Sequence, residues 1–438
     1  TADSDTLAAA HAGLEQARHK RTAARSLYMP EIALSANYMY LDDDITLSPD
    51  DILSSMPAGS QLQPLIEGLG QQYGLSGAAI NSAFTSTIAE QNNRSISIGG
   101  SWPIYTGGRI DAAQDIAANR ENEAGQKLRK TRHEQFELLV RYYFGAVLAQ
   151  QVFTTLLEVE KGLQAHFEHA QLLEQQGQIA RVEKLQAEAA YDKARVDRRK
   201  AGHDLEIAGT ALARTLKIQP RITPTDNLFI SNNLPETAFF LDKTLESFPG
   251  LGLLESKQKQ AEDLVIMEKG RYYPTVALVG NYNIYEEDNL AGELLPEWIV
   301  GVGLKLPLME RSGRSGDVAA AKSMVKQLEF LQNQARNDLA VMVEKTYRQT
   351  EQAKEEYHGL RSSLELAEET VLLRTKAFNQ GLSTSLDVVD AELFLAEVKT
   401  RRSAAVYNHV IALAKLLALS DKIDAFFQYQ NPLITEVQ

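Results

Sequence analysis

Tyr28-Met29-Pro30-Glu31-Ile32-Ala33-Leu34-Ser35-Ala36-Asn37-Tyr38 returns later in the chain as Tyr272-Tyr273-Pro274-Thr275-Val276-Ala277-Leu278-Val279-Gly280-Asn281-Tyr282. Tyrosine, proline, Ala-Leu and Asn-Tyr stay in register at an offset of 244 residues. A second set of landmarks repeats at an offset of 204: Gln176-Gly177 and Ala187-Glu188 against Gln380-Gly381 and Ala391-Glu392, with Pro103 against Pro307. The 40-residue difference between the offsets puts extra chain between Tyr38 and Pro103. Repeats of this length, each spanning several elements, mark a duplicated architectural unit rather than a solenoid of short repeats.

Both copies of the opening stretch read as strand. Ile32, Leu34, Ala36, Tyr38 and Tyr40 alternate with Ala33, Ser35, Asn37 and Met39, the period of two that gives a strand unlike faces. The partner strand is expected over 95–104, with Ile96, Ile98, Trp102 and Ile104 on one side. The second half repeats the design with Val276, Leu278, Tyr282 and Ile284, then Trp298, Val300, Val302, Leu304 and Leu306. Expected strands are 31–41, 95–104, 275–285 and 298–306. About ten residues with an apolar face carrying Tyr and Trp fit transmembrane β-strands, and Tyr38, Tyr40, Trp102, Tyr282 and Trp298 are the candidate lipid-facing aromatics. Half-buried strands of a soluble sandwich have the same pattern.

The remainder is helical. A helix is expected from Thr6 to Leu27, stopping ahead of Pro30. After Pro103, Tyr105-Thr106-Gly107-Gly108-Arg109 ends the strand and an unbroken helical pattern runs to about Leu173; the chain after Pro307 is read the same way. In both halves 73 residues separate the position after the proline from the turn glycine, Gly177 or Gly381. At 1.5 Å per residue that path is roughly 110 Å, too long for a compact domain. Returning helices are expected over Arg181–Lys217 and Ser385–Leu419, each about 55 Å, and a further helix over Lys243–Tyr272 adds about 45 Å. Along the last returning helix Leu386, Val389, Leu393 and Ala396 form a coiled-coil-like seam. The expected organisation is a first repeat (1–217), an equatorial linker (218–242), a second repeat (243–419) and a C-terminal equatorial segment (420–438). The fold class is α+β.

Four strands cannot close a membrane barrel, and open strand edges in lipid cost several kcal/mol per unpaired group. Strands in a membrane therefore require several copies of the chain. Two would give eight strands and three would give twelve.

Composition narrows the rest. The 438 residues carry a net charge of −13 with acidic residues spread throughout, which speaks against nucleic acid as partner and suits either a solvated surface or an acidic lumen. The absence of cysteine removes disulfides, thiolate metal sites and cysteine nucleophiles. No apolar run reaches the roughly 20 residues of a spanning helix. No signal peptide is visible, and the helical start suggests a processed or trimmed N-terminus.

Enzymatic constellations are weak. His166-Phe167-Glu168-His169 puts two imidazoles one turn apart, which reads as an exposed polar helix face in the absence of a third ligand. Ser323-Met324-Val325-Lys326 has serine–lysine spacing without companion motifs, and Gly301-Val302-Gly303 lies inside a strand. Gly107-Gly108-Arg109 reads as a tight strand-to-helix corner. No catalytic residue, metal site or cofactor is expected. Asp42-Asp43-Asp44 and Asp50-Asp51 open the extra segment, about 41–93, read as a solvated loop.

The Pro-flanked strands, Tyr105-Thr106-Gly107-Gly108-Arg109, and Gln380-Gly381-Leu382-Ser383 leading to Asp387-Val388-Val389-Asp390-Ala391 together resemble the TolC-type outer-membrane efflux proteins across nearly the whole chain. The resemblance implies a homotrimer in the Gram-negative outer membrane. Its 12-stranded β-barrel would sit in lipid and continue into a 12-helix α-barrel in the periplasm. It implies partners as well: a periplasmic adaptor and an inner-membrane pump that opens the sealed tip. Gly177, Gln178 and Ile179, with Gly381, Leu382 and Ser383, match the turns that meet the adaptor. Asp387 and Asp390, at i and i+3, would become carboxylate rings of a charged gate, crowded enough to titrate upward. Their first-half equivalents are Glu183 and Gln186. Relatives can lock the tip with an aromatic hydroxyl and an arginine where this chain has Phe378 and Ser383, so its locking bonds must differ. The alternatives are the outer-membrane arm of a type I protein-secretion system and a soluble coiled-coil assembly.

Overall fold

A computed structural model describes residues 4–218, 224–286, 296–309, 311 and 313–430. The chain forms two compact units. Thr22–Ile116 and Glu262–Lys322 form one; the chain up to Arg21, Ala117–Ala261 and the chain from Ser323 onward form the other.

The first unit holds the sheet. Helix α1 (Asp5–Arg25) ends in a 3-10 turn (Ser26–Tyr28) before Pro30, and β1 (Glu31–Tyr40), β4 (Asn92–Tyr105), β5 (Thr275–Glu286) and β6 (Trp298–Lys305) follow in one antiparallel sheet of order β1-β4-β5-β6. Register puts the apolar positions on a common face: Leu34 lies opposite Ile98, Ile98 opposite Tyr282, and Tyr282 opposite Trp298. Trp102 lies opposite Leu278, which lies opposite Val302. Two β-bulges correct the simple alternation read from sequence. Ile284 is an extra residue in β5, so Tyr285 rather than Ile284 sits opposite Ile96; Ile104 is extra in β4, so Tyr105 meets Val276. β1 and β6 are each paired on one side only among the described residues.

The strand-to-helix corner after β4 is built by Gly107 and Gly108, both with positive φ. A Cβ on Gly107 would lie 2.5 Å from the Gly270 carbonyl oxygen, so only glycine fits. Arg109 closes the corner by donating from Nε to Thr106 O (3.2 Å) and from Nη2 to Thr275 Oγ1 (3.3 Å).

The segment read as a solvated loop is folded. It holds β2 (Ile45–Leu47) paired with β3 (Ser86–Ala89), and between them α2 (Pro49–Ser55), α3 (Gly59–Gln72) and α4 (Gly77–Phe84). Ser48 starts α2 with a capping box to Asp51, and Ser76 caps α4.

The second unit is helical. Its elements are α5 (Arg109–Gln175, entering from the first unit), α6 (Arg181–Leu216), α7 (Thr237–Ser247), α8 (Pro249–Gly270, continuing into the first unit), α9 (Arg314–Gly359), α10 (Arg361–Asn379), α11 (Ser385–Leu419) and α12 (Phe426–Gln430). The single helix expected over Lys243–Tyr272 is two, because Pro249 lacks an N–H and starts a new helix. The second long helix is likewise interrupted at Leu360, between α9 and α10. Helix α7 begins within the expected 218–242 linker; of that linker, 219–223 lies outside the described residues, as does 431–438 of the C-terminal segment. No helix among the described residues is long and apolar enough to cross a membrane.

The main core forms where the C-terminal half of α11 is enclosed. Val410, Leu413, Leu416 and Leu417 pack with Val140 and Phe144 of α5, Phe240 of α7, Leu251 of α8, Val343 of α9 and Phe426 of α12. His409 is fully buried here as a neutral ring. Its Nε2 accepts from Ser231 N (3.0 Å) and its Nδ1 lies 3.0 Å from Thr350 O. Burial lowers its pKa from the ordinary value. The seam expected along α11 is only half right: Val389 and Ala396 are buried, whereas Leu386 and Leu393 are exposed, and Ser385, Val388 and Ala391 occupy the interior.

Candidate functional site

Two helical turns carry the candidate contact residues. At each, the helix ends on a glycine in the left-handed conformation: φ is +69° at Gly177 and +70° at Gly381. Gly177 N donates to Glu174 O (2.9 Å) and Gln178 N to Leu173 O (2.8 Å); Gly381 N donates to Phe378 O (3.0 Å) and Leu382 N to Ala377 O (2.9 Å). Both are Schellman motifs, which satisfy the last free carbonyls of α5 and α10. Gln178 and Leu382 are exposed, and Ile179 packs inward.

Beneath the turns, Ala170, Leu173, Ala187, Phe378 and Val388 form a small core against which Phe167 and Ile179 pack, drawing in α5, α6, α10 and α11. Phe378 is 1% exposed, and its ring meets His166 edge-on at 4.5 Å. His166 is 6% exposed, so this part of the polar face expected at His166–His169 is instead interior, where α10 and α11 cover α5, while Glu168 remains exposed. His166 Nε2 lies 2.8 Å from Ser385 Oγ. Burial, with a smaller contribution from His169, drives its pKa down to about 4, and the ring is neutral near pH 7. No group of three His, Cys, Asp or Glu that could hold a metal occurs among the described residues.

Ser385 ties the two halves together near the turns. Its N–H, in the first turn of α11, has no intrahelical acceptor and donates to Glu183 Oε2 of α6 at 2.6 Å. Three helices, α5, α6 and α11, thus meet at one serine. Glu183, a candidate gate residue, is half-buried and engaged in this contact; Gln186, one turn on, keeps its Oε1 buried with no hydrogen-bond partner among the described residues.

Asp387 and Asp390 lie one turn apart near the start of α11. Asp387 is the third residue of a capping box. It accepts from Thr384 N (2.9 Å), Thr384 Oγ1 (2.7 Å) and Ser383 Oγ (3.0 Å), and lies 3.5 Å from Arg374 Nη1 of α10. The Thr384 and Ser383 donors, helped by Arg374, hold its pKa down to about 2. Within one chain the shift is downward, opposite in sign to crowding. Asp390 is exposed.

The sequence singles out Gly177, Gly381, Glu183, Asp387 and Asp390, all of which lie at these turns; it puts His166 on an exposed face and does not single out Ser385 or Arg374. The Thr384-x-x-Asp387 capping pattern was available; nothing local distinguishes Ser385, whose partners lie 202 and 219 residues away.

The sequence profile of the outer membrane efflux proteins matches residues 1–216 and 240–420. Among solved structures, the CmeC outer membrane channel of Campylobacter jejuni superposes with a TM-score of 0.75 at 13% identity, covering 100% of this chain and 88% of that one. The VceC outer membrane protein of Vibrio cholerae gives 0.73 at 15% identity, covering 95% and 93%. The MtrE outer membrane channel of Neisseria gonorrhoeae gives 0.72 at 18%, covering 95% and 86%. Nodulation protein T of Rhizobium leguminosarum bv. trifolii is 28% identical over 142 residues, which span 32% of this chain and 30% of that protein's length. With the profile matched through both halves and the fold shared along the chain, this protein belongs to the outer membrane efflux protein family.

Proposed function

We propose that three copies of this chain form a passive exit duct of the Gram-negative outer membrane, carrying small molecules outward from the periplasm as the last stage of a tripartite pump. The observation that carries this reading is the sheet. Among the described residues it has four strands, two open edges and an apolar face left uncovered: Tyr38, Trp102, Tyr282 and Trp298 are 62%, 48%, 47% and 64% exposed, and Tyr40 is exposed beside them. A soluble sandwich would bury that face. Lipid covers it without cost, and pairing β6 of one copy with β1 of the next removes the edges, twelve strands closing a barrel of ordinary size. The residue spans 1–217 and 243–419 then serve as two structural repeats, each giving staves to a 12-helix α-barrel.

In this reading the turns at Gly177–Ile179 and Gly381–Ser383 present the exposed Gln178 and Leu382 to a periplasmic adaptor, itself coupled to an inner-membrane pump. Asp390, exposed and one turn above Asp387, completes carboxylate rings that attract cations and narrow the passage. The duct needs no chemistry of its own: gradient and pump supply the drive.

Extraction requiring detergent, a trimeric mass and conductance in planar bilayers are the expected results. Asp387→Ala with Asp390→Ala should widen the conductance and weaken cation preference. A detergent-free monodisperse monomer overturns the duct, and unchanged selectivity in the double variant removes the gate assignment.

A further inference from the structure

The insert between β1 and β4 carries an apolar stripe that the described residues leave exposed. Helices α2, α3 and α4 form a small ordered bundle. Gly59 approaches Leu53 of α2 too closely for any side chain, Gly70 is buried against Ile80 of α4, and Asp50 N donates to Asn81 Oδ1 (3.2 Å). Yet Leu62, Leu65, Ile66, Leu69 and Tyr73 stand exposed along α3 and just past its end, at spacings of three and four that put them on one side of the helix. A bundle this constrained that still exposes its longest apolar stripe is arranged to meet something else.

Charge says what. From residue 41 to 93 there are seven acidic side chains and no lysine or arginine. Six of the seven lie at the root, Asp42, Asp43, Asp44, Asp50, Asp51 and Glu90, and the only charge on α3 is Glu67, on the side away from the stripe. Helices that lie on membranes carry basic residues around their apolar face, and an acidic root is repelled by an anionic surface. A stripe without charge meets a copy of itself at no electrostatic cost. Its three- and four-residue spacing is that of a helix–helix seam. The insert grows from β1, the strand whose outer side is unpaired, so it stands beside the edge where another copy must add.

We propose that α3 is a self-association surface: the stripes of the three copies pack together outside the barrel, over its outer mouth. Long barrel loops lie on that side. The inference rests on the trimeric reading above and adds to it a second, extramembrane contact between copies.

The chain contains no cysteine, so one introduced thiol per copy reports only on its own copies. Detergent-extracted Leu69→Cys is oxidised beside Gln71→Cys, which places the thiol on the opposite side of α3. The expected result is a covalent dimer band for Leu69→Cys, unaffected by dilution and with no covalent trimer, since each copy has one thiol, and little or none for Gln71→Cys. The particle mass should remain that of a trimer. A trimeric particle that gives no crosslink, or equal crosslinking at both positions, overturns the inference and leaves the duct standing. So does a particle that doubles in mass on oxidation, or a Leu69→Cys thiol shielded from maleimide only in lipid vesicles. A particle that is not trimeric before oxidation removes the duct reading itself and this inference with it.

Discussion

The turns at Gly177 and Gly381 share a backbone and differ in the work of their carboxylates. Both end a helix with the same Schellman geometry, and both place an acidic residue six positions past the glycine, Glu183 and Asp387. In the second half Thr384 is the N-cap, and Asp387 folds back to complete its capping box. In the first half Ala180 occupies the equivalent position and offers no side-chain oxygen, and Glu183 instead reaches across to the Ser385 N–H of α11. One carboxylate secures its own helix while its counterpart secures the other half's. Two copies of one design have thereby become a joint with two unlike sides, and the unlikeness can be tested side by side.

Acid should separate the sides most strongly. Free histidine titrates near 6.5, and His166 titrates at about 4 in the folded tip. Above pH 6.5 the ring is neutral whether this region is folded or locally unfolded, so nothing is lost. As pH falls from 6.5 towards 4 the locally unfolded chain takes up a proton that the folded structure refuses, and the packing around His166 weakens by on the order of 3 kcal/mol per chain. The Asp387 capping box survives that window. Its carboxyl lies at about 2, below the free value, so its contribution persists above about pH 4 and fades only towards pH 2. Hydrogen exchange at the α11 N-terminus, corrected for intrinsic rates, should therefore rise between pH 6.5 and 4.5 in the native protein and stay flat in His166→Gln. Equal slopes in the two would break the assignment. Thr370, the second-half counterpart of His166, does not titrate, so the acid response is one-sided.

Glu183→Ala should have the next largest effect. It strands the N–H of the fully buried Ser385, at a cost of about 1–3 kcal/mol for an unsatisfied buried donor. Faster exchange confined to Ser385 and its neighbours, with the Gly177 turn unaffected, is the expected pattern. Unchanged exchange at Ser385 would mean that the 2.6 Å contact carries no energy.

What could be read from the sequence tracks how local its cause is. The duplicated strands, the two turn glycines and the returning helices were legible because alternation, left-handed glycine and helical periodicity are written within a few residues. Strands began and ended within three residues of the expected positions. The bulges at Ile104 and Ile284 were not legible, since a bulge is set by register against a neighbouring strand. Pro249 is a local helix-start signal inside an otherwise continuous helical pattern, whereas the break at Leu360 has only Gly359 beside it as a hint. The insert hid its helices behind Pro64 and five glycines between residues 59 and 77, a composition that reads as loop. His166 was misplaced for the opposite reason: its local pattern is polar, and it is buried by residues more than two hundred positions away.

The smallest effect is the most discriminating. Ala180→Thr gives the first half the pattern Thr-x-x-Glu of a capping box, so Glu183 would have two places to go: back to its own helix start, or across to Ser385. An N-cap is worth about 1 kcal/mol to α6, comparable to what the contact with Ser385 loses if the carboxylate turns home. Net stability should hence change little, by less than about 1 kcal/mol, while exchange protection moves from the start of α11 to the start of α6. Thr384→Ala, the reciprocal change, makes the second turn resemble the first and should weaken α11 by about 1 kcal/mol without protecting α6. If Ala180→Thr raises protection at both helix starts, Glu183 serves both at once and the division of labour between the halves is not enforced by competition. If protection migrates, the alanine at position 180 is what frees the first-half carboxylate to bind the second half.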